Sequence, residues 1–192
     1  GVRLSIAGPD THAQHAHLAP GDRLQGLRFA PAVALRWLGT PLHILADQRI
    51  DLRDLGTPRL TPLAERMVEH GPEAMTWLAS RILAETLSCD DAMQAVHARL
   101  SIPRPLSIAQ LAGEFGLTER TLLRRCDDAF GYGPKMLARI LRLQRFLHLQ
   151  HSRATLLEAA LDAGYYDAAQ LAGDARRLTG LTPTRLVAQV AD

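Results

Sequence analysis

Residues 114–137, EFGLTERTLLRRCDDAFGYGPKML, and residues 162–186, DAGYYDAAQLAGDARRLTGLTPTRL, are two versions of one pattern. Gly116 corresponds to Gly164 at an offset of 48 residues. Past the turn the offset becomes 49, pairing Leu122 with Leu171, Gly131 with Gly180, Pro134 with Pro183 and Leu137 with Leu186. Self-similarity at this period marks two copies of one supersecondary unit, differing by a residue in the turn.

Each copy carries the signals of two short helices. Ser107 and Gln110 form a capping box that opens the helix IAQLAGEF, ended by Gly116. After the turn at Leu117-Thr118, a second helix spans about Glu119 to Phe130, with Leu122, Leu123 and Cys126 available to the core. In the second copy Thr155 and Glu158 make the box, Gly164 the turn, and AAQLAGDARRL the second helix. Two short helices joined by a three- or four-residue turn containing Gly are a helix-turn-helix. Gly133-Pro134 starts a long helix between the copies, running to about Gln150, and roughly 17 residues at 1.5 Å give a rod of about 25 Å. Leu137, Ile140, Leu141 and Leu147 form its apolar stripe, and Arg139, Arg142 and Arg145 a basic flank, read equally well as solvated or as touching phosphate. Major-groove openings on one face of B-DNA recur about every 34 Å, so two units on such a spacer suit adjacent groove segments of bent DNA.

The stretches TERTLLRRC, GYGPKMLARILRLQRFL and ALDAGYYDAAQLAGDARRLTGLTP resemble the two halves of an AraC/XylS-type DNA-binding domain, over about Leu106 to Val187. AGPDT, PGDRLQGLRFAP and DQRIDLRDLG more weakly resemble the N-terminal sensor region of some members. The resemblance implies a transcription regulator, activator or repressor, that binds promoter or operator DNA and contacts RNA polymerase. It implies an N-terminal region that takes a small-molecule effector or a partner, with homodimerisation possible. It places the base-reading positions on Arg120, Leu123 and Arg124, with Thr121 beside them. Arginine offers a fork that matches guanine O6 and N7, which singles out Arg120 and Arg124. Arg125, Lys135, Arg176, Arg177 and Thr182 fall to the DNA backbone. In the second copy the reading positions are Ala168, Ala169, Ala172 and Gly173, leaving Gln170 as the polar candidate for an adenine edge. Asp127 and Asp128 place negative charge where a basic residue would suit DNA, and Cys126 and Ala175 stand where the family commonly has an aromatic core residue. The first unit is therefore expected to read sequence and the second to anchor on the backbone.

Upstream the pattern is mixed. Val2, Leu4 and Ile6 alternate as in a strand, and HAQHAHLA and RLQGLRFA read as further extended stretches around the turn Pro20-Gly21-Asp22. These are too few for an independent β domain and read as part of a larger sheet. Helices follow: PAVALRWLG with Pro31 at its first position, a short one at Thr40-Pro41, TPLAERMVEH, and GPEAMTWLASRILAETL with Met75, Leu78, Ile82 and Leu83 on one face. The last upstream helix is DDAMQAVHARL, capped by Asp90. Ser101 to Pro105, SIPRP, is the best linker, dividing a partial sensor or oligomerisation region, 1–103, from a DNA-binding domain, 104–192. The fold class expected is mainly α: two helix-turn-helix units on a linker helix, preceded by a small β region with helices.

Composition agrees with a globular domain, 47% hydrophobic and 22% charged. With no 18-residue apolar run and no signal pattern, the chain reads as cytoplasmic and nucleoid-associated, without a membrane partner. Residues 104–192 hold 11 Arg and one Lys against 9 acidic residues, whereas 1–103 hold 10 Arg against 11, so the basic excess lies with the repeat. Cys89 and Cys126 lack metal-ligand spacing and read as core residues. His15 and His17 share one face of an extended stretch and are weak metal candidates, with no Glu at cupin-like spacing to complete a site. Phe29, Trp37 and Trp77 read as core ahead of a ligand pocket. No catalytic arrangement or phosphate loop occurs, so neither an enzyme nor a cofactor is expected. The alternatives are a helix-turn-helix-shaped interaction module with weak DNA binding, and a cupin-like metal-binding sensor or enzyme.

Overall fold

The computed structural model describes residues 4–14, 19–56, 61–70, 73–85 and 90–191. It is mainly helical with one two-stranded sheet, and it divides into two compact units. The first comprises residues 1–10, 14–94 and 125–132; the second comprises 11–13, 95–124 and 133–192. Residues 95–103, which include Ser101, Ile102 and Pro103 of the Pro-rich loop, thus group with the second unit.

In the first unit, β1 (Ser5–Ala7) pairs antiparallel with β2 (Arg49–Asp51), Ile6 facing Ile50. The extended stretch expected at residues 23–30 does not form a strand. Leu24 and Leu27 have opposite parity and no common face to bury, and Leu24 remains 77% exposed. The pairing signal lay instead in Ile50 and Leu52, which alternate in DQRIDLRD. The stretch HAQHAHLA, with His15 and His17, lies partly outside the described residues.

The helix α1 runs from Ala34 to Leu38, three residues after the expected Pro31 start, because Ala32 is buried in a left-handed conformation at φ 64°. Gly39 closes it at φ 68°. After Pro41 comes a single 3₁₀ segment, Leu42–Leu45. Leu38, Leu42 and Leu45 form the core here, with Ile6, Trp37, Ile50, Leu52, Leu55, Trp77 and Leu78 against them. Phe29 and Trp37 meet at 5.5 Å between ring centroids. The helices α2 (Thr61–His70) and α3 (Glu73–Glu85) follow as expected, with Arg66 over the Trp77 ring. The side chains of Ile82 and Leu83 lie outside the description.

The remaining helices are α4 (Asp91–Leu100), α5 (Ile108–Glu114), α6 (Glu119–Phe130), α7 (Pro134–Leu149), α8 (Leu156–Ala163), α9 (Ala168–Thr179) and α10 (Pro183–Ala191). Both capping boxes form, at Ser107 with Gln110 and at Thr155 with Glu158. In the second unit α8 and α9 pack on α7 around Leu143, Phe146, Ala159, Ala160, Ala163, Tyr165, Leu171, Ala175 and Leu186. Ala159, Ala160 and Ala163 of α8 and Phe146 of α7 are all fully buried in this core. Gly164, at φ 96°, turns α8 into α9 where any side chain would collide with the Pro103 carbonyl. Arg145 of α7 donates to Ala163 O at 2.6 Å and also to Ser101 O, and Arg99 of α4 pairs with Glu114 of α5. Thus the C-terminal end of α4, at Arg99, and the Pro-rich loop are bonded into the second unit.

Candidate nucleic-acid interface

Thr118 caps α6, its Oγ1 accepting the Thr121 backbone N–H at 3.1 Å, and the two threonine hydroxyls bond at 2.9 Å. From this fixed start, Arg120, Leu123 and Arg124 lie on the exposed side of the helix, while Leu122 and Cys126 are fully buried on the other. Arg120 and Arg124 are one turn apart, and neither joins an ion pair among the described residues. Leu123 beside them is 46% exposed. An unpaired pair of guanidiniums flanking an aliphatic side chain can donate to a guanine and cover a thymine methyl. Thr121 is half-buried, with its hydroxyl engaged in the cap.

Arg125, next in sequence, points elsewhere: Nη2 meets the Asp90 carboxylate at 3.1 Å. Asp128 lies 3.2 Å from His43 Nδ1, and Gly131 fits against Pro9 where a side chain would clash. Residues 125–132, which include the second half of α6, therefore belong to a body built with residues from the N-terminal part of the chain. Cys126 is a thiol that burial, helped by Asp127, pushes up to about 12, so it is protonated and unreactive.

The second helix-turn-helix presents a different surface. Asp167 caps α9 by accepting Gln170 N at 2.7 Å, and Gln170 Oε1 reaches back to Tyr166 N at 2.9 Å. The carboxamide oxygen needed for bidentate adenine readout is thus already bonded at the helix start. Ala168, Ala169 and Gly173 are exposed, and a side chain at Gly173 would project into open space. Arg176 and Arg177 are exposed and in no ion pair among the described residues. Thr182 caps α10 through Arg185 N at 3.4 Å, and Lys135 is exposed at the start of α7.

The basic flank of α7 turns inward. Arg139 Nε lies 2.9 Å from Asp174 Oδ1, Arg142 Nη2 lies 3.6 Å from Oδ2, and Arg145 bonds the Ala163 and Ser101 carbonyls. The Arg142 guanidinium also stands 5.0 Å over the Tyr165 ring. Sequence spacing exposed the stripe but not its partner, because Asp174 is 35 residues downstream of Arg139. Its charge in the middle of an alanine-rich helix was the available signal. Among the described residues no group of three His, Cys, Asp or Glu could hold a metal, and no helix is long and apolar enough to cross a membrane.

Residues 111–189 match the family model of a helix-turn-helix domain. No curated protein and no solved structure matches the chain. The matched segment, with its two capped helix pairs on α7, is a DNA-binding helix-turn-helix domain of the AraC type, a fold of transcription regulation.

Proposed function

We propose that the chain is a sequence-specific DNA-binding transcription regulator in which α6 reads bases and α9 anchors the protein on the backbone. The observation that carries this reading is the contrast between the two exposed faces. Arg120 and Arg124 are exposed donors on α6, in no ion pair among the described residues, whereas the outward positions Ala168, Ala169 and Gly173 of α9 hold no group able to form a bidentate base contact. Arg176, Arg177 and Lys135 supply phosphate contacts, and Thr182 stands by them at the start of α10. Arg125 is occupied by Asp90 and joins the phosphate set only when that pair opens.

We further propose that residues 1–103 act as the sensor or partner-binding region for residues 104–192, and that RNA polymerase is the downstream partner. Support comes from Asp90 and His43, which touch Arg125 and Asp128 on the reading helix itself. An effector or a second copy that displaced either contact would act on α6 directly.

The test is selection of duplexes from a random pool, followed by affinity for the selected and for a random duplex. Arg124→Ala is expected to cost about 1–3 kcal/mol on the selected duplex alone, leaving random DNA little changed. Failure to select any sequence, together with a shallow dependence of binding on salt, would favour the protein-interaction alternative.

A further inference from the structure

Between α7 and α9 lies a charge network that takes no part in the DNA contacts proposed for α6 and α9. Arg139 and Arg142 stand on the same face of α7, three residues apart, and converge on Asp174, Arg139 at 2.9 Å from Oδ1 and Arg142 at 3.6 Å from Oδ2. The Asp174 side chain is 13% exposed. Tyr165, in the turn before α9, lies under the Arg142 guanidinium, its hydroxyl buried and its proton held more tightly because of that burial. Arg142 Nε, Asp174 Oδ2 and the Tyr165 hydroxyl lack hydrogen-bond partners.

Partly exposed ion pairs contribute little to stability, and here Arg142 Nε and Asp174 Oδ2 also lack hydrogen-bond partners, so stability alone does not account for two arginines converging on one carboxylate. Geometry does. The apolar contact of α9 with its neighbours runs through Leu171 and Ala175, with Leu178 partly buried beside them, and the α8 members of the same core, Ala159, Ala160 and Ala163, are small side chains that do little to key rotation. Arg142 touches the α9 segment at two places, its entry at Tyr165 and its centre at Asp174, and Arg139 adds a second ion-pair contact at the centre. Two separated points fix both the direction and the rotation of a helix.

We infer that Asp174 is a positioning residue: held by Arg139 and Arg142, it sets the rotation of α9 on the linker helix so that Arg176 and Arg177 meet the DNA backbone at a fixed distance from the bases read by α6. The inference rests on the anchoring role proposed for α9. It gives the rod's arginines an internal task in place of phosphate contact, and it makes the separation of the two DNA contacts a property of one carboxylate.

The test is a hydroxyl-radical footprint of the full chain on the duplex it selects from a random pool, with the salt dependence of binding measured alongside. The wild-type chain should protect two backbone segments about one helical turn apart. Asp174→Asn, nearly isosteric, should keep the first segment and the preference for the selected duplex. It should lose or blur the second segment, bind about tenfold more weakly, and lower the log-log salt slope by about 2, the weight of two phosphate contacts. Asp174→Glu keeps the carboxylate and should restore most of the second protection. Arg139→Gln leaves Arg142 to neutralise Asp174, and should give an intermediate footprint if Asp174→Asn does not fold. A second segment and a salt slope both retained in Asp174→Asn, or in Arg139→Gln where only that variant folds, would overturn the inference alone. A single protected segment in the wild-type footprint would remove the anchoring role and this inference with it.

Discussion

The Asp90 carboxylate holds Arg125 Nη2 at 3.1 and 3.2 Å while its Oδ1 also accepts the Met93 backbone N–H, so one side chain caps α4 and restrains α6. The two tasks separate by substitution. Asn caps a helix about as well as Asp, whereas Ala loses about 1 kcal/mol of cap. The ion pair is partly exposed and contributes about 0–1 kcal/mol. Asp90→Asn is therefore expected to lower Tm by no more than about 4 °C and Asp90→Ala by about 2–8 °C, at 2–4 °C per kcal/mol. Both release Arg125, and the salt slope of DNA binding should steepen by about 1 as it reaches a phosphate. Thermal melts and affinities over a salt series check both parts; an unchanged slope in the two variants would keep Arg125 out of the interface.

Gln170 gives an opposite expectation to the one its polarity invites. Its oxygen is bonded to Tyr166 N at the start of α9, so Gln170→Ala should act chiefly on the helix, costing about 0.5–1 kcal/mol, with less than a threefold change in the ratio of selected to random DNA binding. Gln170→Glu keeps the acceptor and should keep the stability. A loss of discrimination as large as that of Arg124→Ala would make Gln170 a reading residue after all.

What could be read in the sequence divides along the range of the forces involved. Both capping boxes, the turn glycines and the Pro134 start are local devices, each fixed within about four residues, and the repeat printed them twice. The exposed face of α6 followed from the family resemblance; helical period alone offered Leu123 to the core with Leu122 and Cys126, and Leu123 is instead 46% exposed. The strand partner of Ile6 was less legible, because it depends on Ile50 closing a 44-residue separation that no local rule constrains. The inward turn of Arg139, Arg142 and Arg145 was hidden for the same reason. A basic stripe looks identical whether it faces water, phosphate or a distant carboxylate, and the choice is made by tertiary packing. The late start of α1 came from the left-handed Ala32, a conformation that residue type does not announce.

Cys126 supplies a pH dependence with a definite sign. Burial, followed by the neighbouring Asp127, raises its thiol from 9.0 to about 12 in the folded chain. A group whose folded value is raised stabilises the fold below its unfolded value and loses that contribution as pH rises past it. The contribution is thus full below pH 9 and declines between about 9 and 12. Tm measured from pH 8 to 10.5 should fall more steeply in the wild-type chain than in Cys126→Ala, although the variant starts lower because of the cavity it leaves. Parallel curves would show that the thiol does not ionise on unfolding in this range.

Gly173 lies within α9, exposed, with open space where its side chain would be. Neither packing nor a left-handed backbone calls for glycine there, and in a helix interior it costs about 1 kcal/mol relative to alanine. Gly173→Ala should therefore raise Tm by about 2–4 °C without changing DNA affinity by more than twofold. Gly173→Arg should add a donor to the outward face of α9. If that face lies against the duplex, binding to random and selected DNA should tighten together, and the salt slope should steepen by about 1. Because the arginine sits near the positions from which such a helix reads bases, selection from a random pool should also yield a longer preferred sequence, extended on the side bound by α9 and enriched there in guanine. Stabilisation by Gly173→Ala with no change in slope or selected sequence for Gly173→Arg would place α9 away from DNA and leave α6 as the sole contact.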